Sequence, residues 1–302
     1  MRTGSRLALA NTVFLTMVVL GLTACQSVSP KWESPPGSST QVVNGYPMTF
    51  SARGAGPTIV LVGGVLSDYR YWQAQQETWS ADYRVIALSL RHFYPEKWDG
   101  KSKDFTVDQH SKDLTSFIAS LGGPVYLVGW SYGAQVAYEA THARPDLVRK
   151  LVLVEAPLYN LEAGEDQGAS IRKDRSIETA RFFNAGDMDG GLNFSIDSIN
   201  GKGVWASIPE AYKQPVRDNA WTVVGVGLQD SRPVPCAEFG SLKMPVLLVM
   251  GDRTTQQFKK VVATEAACLP SARVATIPNA GHPSPSMNPP AFKDAVFTFL
   301  KE

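Results

Sequence analysis

The sequence predicts an α/β architecture: a mostly parallel sheet with helices on both faces and a small, mainly helical insertion. Three observations predict it. Strand-like, apolar-rich runs at 58–62, 147–154 and 245–251 alternate with segments of helical spacing, as expected of strands buried on both faces and joined by helical crossovers. A fourth run, 125–128, ends abruptly in Gly129-Trp130-Ser131-Tyr132-Gly133 and passes at once into a helix-like segment, 134–140. That is strand, sharp turn and helix with G-x-S-x-G at the turn. Between about 160 and 240 the rhythm is lost in a stretch rich in Gly, Asp and Asn, which reads as an insertion.

From the N-terminus, Arg2 and Arg6 precede an apolar stretch, 7–22, that closes on Leu22-Thr23-Ala24-Cys25. A basic start, an apolar middle and small residues at the end describe a signal peptide over 1–24. The closing tetrad resembles the lipobox of bacterial lipoproteins, which implies a lipidated Cys25 as the new first residue. Several acyl chains, each CH₂ worth ~0.8 kcal/mol when buried, would then hold the chain on a membrane face. Gln26 follows the cysteine, and no aspartate stands there as an inner-membrane retention signal would have it. The expected location is therefore the bacterial envelope, at the outer membrane facing the periplasm in a two-membrane cell. Residues 25–39, rich in Ser and Pro, read as a flexible tether, and 40–302 as the folded domain.

That domain opens with two strand-like runs around Asn44-Gly45, a hairpin signal, with Pro47 placing the second run at an edge. The run 58–62 ends in Gly63-Gly64-Val65, and 69–81 carries Tyr69, Trp72, Gln76 and Trp79 at helical spacing. A strand is expected over 84–90. The clearest helix spans 104–121, with Thr106 as N-cap, Gln109 completing a capping box and Gly122 as the stop. After the insertion, with amphipathic pieces at 171–183 and 210–224, come a strand at 245–251, a helix near 257–268 and a strand at 273–277. A loop holding Gly281-His282 precedes a last helix from about 290 to 300.

Composition excludes several functions. The chain has 302 residues and a net charge of +1, and loss of Arg2 and Arg6 with the signal takes this to −1. That is no electrostatic footprint for nucleic acid or for an anionic membrane surface. Gly225-Val226-Gly227 lacks the context of a dinucleotide loop, and there is neither a G-x-x-x-x-G-K-[ST] phosphate loop nor a metal-ligand cluster. Once Cys25 is lipidated, Cys236 and Cys268 remain; an oxidising periplasm permits a bond between them, and two free buried thiols are the alternative.

The order of landmarks along 41–301 resembles the α/β-hydrolase superfamily: Gly63-Gly64 at a strand end, the elbow at Ser131, an acidic strand end, and Gly281-His282 before the last helix. The resemblance implies an α/β-hydrolase fold with a cap at about 160–240. It implies Ser131 as nucleophile and His282 as its base. His92, His110 and His142 read as structural. For the acid, the usual G-x-x-D spacing falls on Thr254, with Asp252 two residues early. Glu155 ends the preceding strand, where certain haloalkane dehalogenases carry theirs. Glu155 is assigned and Asp252 is the alternative. The oxyanion site is expected from the backbone N–H groups of Val65 and Tyr132. Trp72 and Trp79 read as core, and Trp130 is expected at the substrate. The implied activity is cofactor-free cleavage of a small-molecule acyl substrate, an ester or lactone. The alternatives are a silent binding protein with this fold, or C–C hydrolysis or perhydrolysis on the same residues.

Overall fold

The buried apolar runs become a single eight-stranded sheet. The structure, a computed structural model, describes Met1, residues 34–158, Leu161, residues 167–229 and residues 232–302. The expected signal peptide, Cys25 and the first part of the tether lie outside the described residues. Among the described residues no helix is long and apolar enough to cross a membrane.

The strands are β1 Ser39–Val43, β2 Tyr46–Arg53, β3 Thr58–Val62, β4 Arg84–Leu88, β5 Val125–Trp130, β6 Val148–Val154, β7 Val246–Gly251 and β8 Arg273–Ile277. They lie in the order β1-β2-β4-β3-β5-β6-β7-β8. β1–β2 and β2–β4 are antiparallel and the other pairs are parallel. Asn44 and Gly45 turn the first hairpin with φ of 48° and 75°, the two positive values that a tight hairpin turn demands. Pro47 does not mark an edge. The edge strand is β1, and β2 meets β4 only from Phe50 onward. Pro47 therefore sits where β2 overhangs its inner neighbour, and its missing N–H disrupts no β4 pairing.

Alternation along the central strands explains why their buried stretches are apolar at successive residues. Val60, Val62, Leu127, Leu151 and Leu153 face one core, while Ile59, Leu61, Val128, Val152 and Val154 face the other. Each such side chain, fully withdrawn from water, stabilises the fold by roughly 1.5–3 kcal/mol. Helices α1 (Gln73–Trp79), α2 (Val107–Ser120) and α3 (Tyr132–Ala143) follow β3, β4 and β5. Thr106 caps α2 through the Gln109 N–H at 3.0 Å. The Gln109 side chain turns to Asp113 instead of reaching back, because that fully buried carboxylate also has to be satisfied. Only half of the capping box forms.

Between β6 and β7 run α4 (Gln167–Asn184), α5 (Met188–Asn200), α6 (Val204–Ser207), α7 (Glu210–Asp218), α8 (Trp221–Leu228) and α9 (Cys236–Phe239). Phe183, Leu192, Ile196, Trp205, Val223 and Val224 form a small core of their own, and Val65 and Leu66 from the β3 loop pack against it. The chain returns through α10 (Gln256–Cys268), α11 (Ser284–Met287) and α12 (Pro289–Lys301). Cys236 and Cys268 are bonded, Cα–Cα 5.1 Å, which fastens α9 to the end of α10. Trp72 and Trp79 are fully buried beneath α12, as core residues. Gly225 and Gly227 lie in α8, where a Cβ would strike Trp98 and Ser176. They serve close packing.

Candidate active site

The glycines of the elbow are dictated by contact. A Cβ on Gly129 would come within 2.5 Å of Ala134 Cα, and one on Gly133 within 2.3 Å of the Gly63 carbonyl oxygen. Between them Ser131 takes φ 53°, ψ −123°, a region that costs a non-glycine residue on the order of 1–3 kcal/mol. It occupies the N-cap of α3 yet makes no side-chain capping bond. Its hydroxyl is thereby left for another partner, above a helix N-terminus that favours developing negative charge.

That partner is His282, whose Nε2 lies 2.9 Å from Ser131 Oγ. On its other side, Nδ1 donates to Glu155 Oε2 at 2.6 Å. A proton held on Nδ1 leaves Nε2 to accept from the serine. Glu155 is wholly buried and strained at φ 46°. Its carboxylate also accepts from Gly251 N–H and from Thr254 Oγ1–H, both at 2.8 Å. Thr254 occupies the usual acid position, and here it supports the carboxylate that comes from β6. Asp252, the alternative acid, accepts from Ala280 N–H at 3.0 Å. The amides of Asn279 and Ala280 hold its carboxyl below the usual range. It makes no bond to His282.

Trp130, expected at the substrate, lies beside His282 with ring centroids 5.5 Å apart. Its indole is buried, stacks on Tyr71 at 4.4 Å and donates from Nε1 to the His282 carbonyl at 2.9 Å. It fastens the histidine loop to β5. Phe258, at the start of α10, lies flat on the imidazole with ring centroids 4.0 Å apart. The sequence reading missed Phe258, and nothing in its spacing singles it out.

Of the two expected oxyanion donors, Tyr132 follows Ser131 in the chain and Val65 follows Gly64, which packs against Ser131. Gly64 approaches so closely that a Cβ there would lie 2.9 Å from Ser131 Cβ. Tyr132 is the first residue of α3, so its N–H has no acceptor within the helix. Its side chain is tied down: the hydroxyl donates to His110 Nδ1 at 2.7 Å, and His110 Nε2–H donates to the Arg91 carbonyl at 3.1 Å. Burial pushes His110 down to about 3, so it stays neutral and keeps this donor and acceptor arrangement. His92 lies between Glu96 and Asp104, and His142 stacks on Tyr138. These three histidines pack and pair away from Ser131.

A serine on a strained strand-to-helix turn, facing a histidine backed by a buried carboxylate at the top of a parallel sheet, is the arrangement an α/β-hydrolase fold presents. The model of the alpha/beta hydrolase family matches residues 59–295, and the chain belongs to that family. It is 23% identical over 259 residues to the 2-(acetamidomethylene)succinate hydrolase of Mesorhizobium japonicum, covering 82% of this chain and 89% of the relative. It is 29% identical over 125 residues to an uncharacterised protein of Mycobacterium tuberculosis, 41% of this chain, and the match spans about a third (36%) of that relative's length. Among solved structures, a thermophilic esterase from Thermogutta terrifontis superposes with a TM-score of 0.69 at 22% identity, covering 87% of this chain and 97% of the esterase.

Proposed function

We propose that this chain is a serine hydrolase that cleaves small esters, lactones or related acyl compounds through an acyl-enzyme. The observation that supports the reading most is the continuous row Ser131 Oγ, His282 Nε2, His282 Nδ1, Glu155 Oε2, with steps of 2.9 and 2.6 Å. Nothing in the packing of the fold requires it. Ser131 Oγ attacks the acyl carbon while His282 Nε2 takes its proton. Glu155 fixes the imidazole's tautomer and stabilises the imidazolium. The Val65 and Tyr132 amides receive the oxyanion. Collapse of the tetrahedral intermediate sends the proton from Nε2 to the departing oxygen. Water then repeats the cycle on the acyl-serine, releasing the acid and restoring Ser131. No step needs a cofactor.

Cys25 is proposed as the lipidated anchor of this activity in the bacterial envelope, on the signal-peptide pattern alone. A fluorophosphonate probe and a panel of p-nitrophenyl esters of rising chain length test the chemistry on the detergent-solubilised full chain. Ser131→Ala should abolish labelling and lower turnover by several orders of magnitude. Turnover that survives the substitution refutes the mechanism. Cys25→Ser should abolish incorporation of an alkyne-tagged palmitate in cells; labelling that persists refutes the anchor.

A further inference from the structure

The loop after β3 carries a strained residue that the cap holds in place. Leu66 adopts φ 63°, a left-handed conformation that a branched, non-glycine side chain disfavours. Its N–H donates to Thr222 Oγ1 at 2.9 Å. The Thr222 hydroxyl in turn donates to the Asn219 carbonyl at 2.6 Å. Both cap residues are buried, at 1% and 2% exposure. Water therefore cannot readily substitute for either bond.

Asn219 extends the grip to neighbouring loops. Its Nδ2 donates to Asp68 Oδ2 at 2.7 Å and to the Pro215 carbonyl at 2.8 Å, and its Oδ1 accepts from Tyr94 N–H at 2.8 Å. Asp68 is itself buried and accepts from the backbone and guanidinium of Arg70. Arg70 bridges back to Asp218 at 2.8 Å. One short cap segment, 218–222, thus holds the β3 loop at Leu66 and again at Asp68 and Arg70.

Leu66 N–H belongs to the peptide that follows Val65 Cα and the Val65 N–H to the peptide that precedes it, so holding the Leu66 plane fixes one of the two planes that meet at Val65. The residue before Val65 touches Ser131, as the Gly64 contact shows. We propose that Thr222, with Asn219 behind it, is a positioning residue: it aims the Val65 N–H, so the oxyanion site is complete only while the cap is seated. This inference rests on Ser131 acting as nucleophile with Val65 as an oxyanion donor. The cap then controls turnover as well as access, because displacing it frees a strained peptide beside the reacting carbonyl.

The test compares Thr222→Val, which removes the hydroxyl at nearly constant volume, with Thr222→Ser, which keeps it. Three quantities are measured: p-nitrophenyl ester kinetics, inhibition by an alkyl trifluoromethyl ketone that Ser131 converts to a tetrahedral oxyanion, and amide hydrogen exchange over residues 64–70. Loss of a whole oxyanion donor costs about a hundredfold to a thousandfold, and a misaimed donor should cost roughly tenfold to a hundredfold. Thr222→Val should lower kcat by that factor with KM within about twofold, weaken the ketone in proportion, and speed exchange over 64–70. Thr222→Ser should stay near the parent on all three. Parent-like kcat and ketone affinity in Thr222→Val, or a loss confined to KM, overturns the proposal. If the parent neither hydrolyses esters nor binds the ketone, the serine-hydrolase reading fails and the catalytic part of this inference fails with it. Exchange over 64–70 then decides the structural part, and unchanged exchange in Thr222→Val overturns that too.

Discussion

Replacing Glu155 by glutamine should cost the enzyme about four orders of magnitude in turnover, for a reason the hydrogen bonds spell out. Three donors converge on the carboxylate: Gly251 N–H, Thr254 Oγ1–H and His282 Nδ1–H. A carboxylate accepts all three. A glutamine amide has one oxygen, and the Gly251 N–H, fixed in the backbone, must claim it. The amide NH₂ then faces Thr254 and His282. A threonine hydroxyl can rotate and accept. The imidazole can accept at Nδ1 only by moving its proton to Nε2, where it points at Ser131 and cannot take the serine's proton. Flipping the amide instead sets NH₂ against the Gly251 N–H and leaves a buried donor unpaired, a cost of about 1–3 kcal/mol. The wrong-tautomer penalty in an equivalent triad is roughly 10⁴ in kcat, about 5–6 kcal/mol at ~1.4 kcal/mol per tenfold. The assay is ester turnover for Glu155→Gln beside Asp252→Asn, with melting temperatures confirming that both fold. Asp252→Asn should stay within a few-fold of the parent. A Glu155→Gln enzyme within tenfold of the parent, or an equal loss in Asp252→Asn, refutes the reasoning.

Three stability predictions follow from groups outside the reaction. Glu265 is wholly buried and neither carboxyl oxygen has a partner; burial first, and the charge of Glu155 second, push its pKa well above the usual range. The native state then holds a proton the unfolded chain has released, so stability falls as pH rises above about 4.3. Glu265→Leu should remove that fall and gain about 1–3 kcal/mol near neutral pH, read as melting temperature against pH; an unchanged pH slope contradicts it. For His92, burial lowers the pKa, but Glu96 and Asp104 at 2.9 and 2.7 Å raise it overall. Its contribution is full below about pH 6.5 and is lost as pH rises through the raised native value. His92→Gln should flatten that part of the melting profile, and a profile parallel to the parent's contradicts the assignment. The Cys236–Cys268 bond closes a separation of 32 residues, worth roughly 3–4 kcal/mol by loop-closure entropy. Cys236→Ser with Cys268→Ser, or reduction of the parent, should lower the melting temperature by about ten degrees, and no shift would show that the bond does not constrain the unfolded chain.

The sheet and the reacting groups were legible in the sequence to different depths. Strands β3, β5 and β7 and the second half of β6, Leu151 to Val154, are buried on both faces, so their runs are apolar and unmistakable. Ser131 was legible because backbone contact excludes side chains at Gly129 and Gly133, leaving a local signature. His282 followed from its place before the last helix. Glu155 was harder: the usual acid position holds Thr254, and only the structure shows that threonine donating to the carboxylate from the neighbouring strand. Trp130 was legible as a neighbour of the nucleophile, but the bond from its N–H to the His282 carbonyl 152 residues away was not. Thr222, Asn219 and Asp68 were not legible at all. Their bonds span up to 156 residues, and short polar residues in a helical insertion carry no periodic signal.

The register of the sheet explains why the acid can sit on β6. Trp130 pairs with Val154 across the β5–β6 ladder, and Ser131 N–H bonds to the Val154 carbonyl at 2.9 Å. Glu155, the next residue, bonds through its own N–H to the Val249 carbonyl of β7 at 3.0 Å. Nucleophile and acid are therefore neighbours across one rung of the ladder, each turned out of its strand with positive φ. An aspartate at 155 would be a methylene shorter, and the contacts of the Glu155 carboxylate with Gly251, Thr254 and His282 use that extra reach. The third member is held to the same frame by Trp130 from below and Phe258 from the side. All three reacting side chains are thus fixed by the sheet and by residues packed against it. The Val65 amide is different: it lies in a loop whose strained residue is held by the cap. Ser131, His282 and Glu155 are thus held by the sheet and its packing, whereas the Val65 peptide depends on a contact from the inserted helices through Thr222.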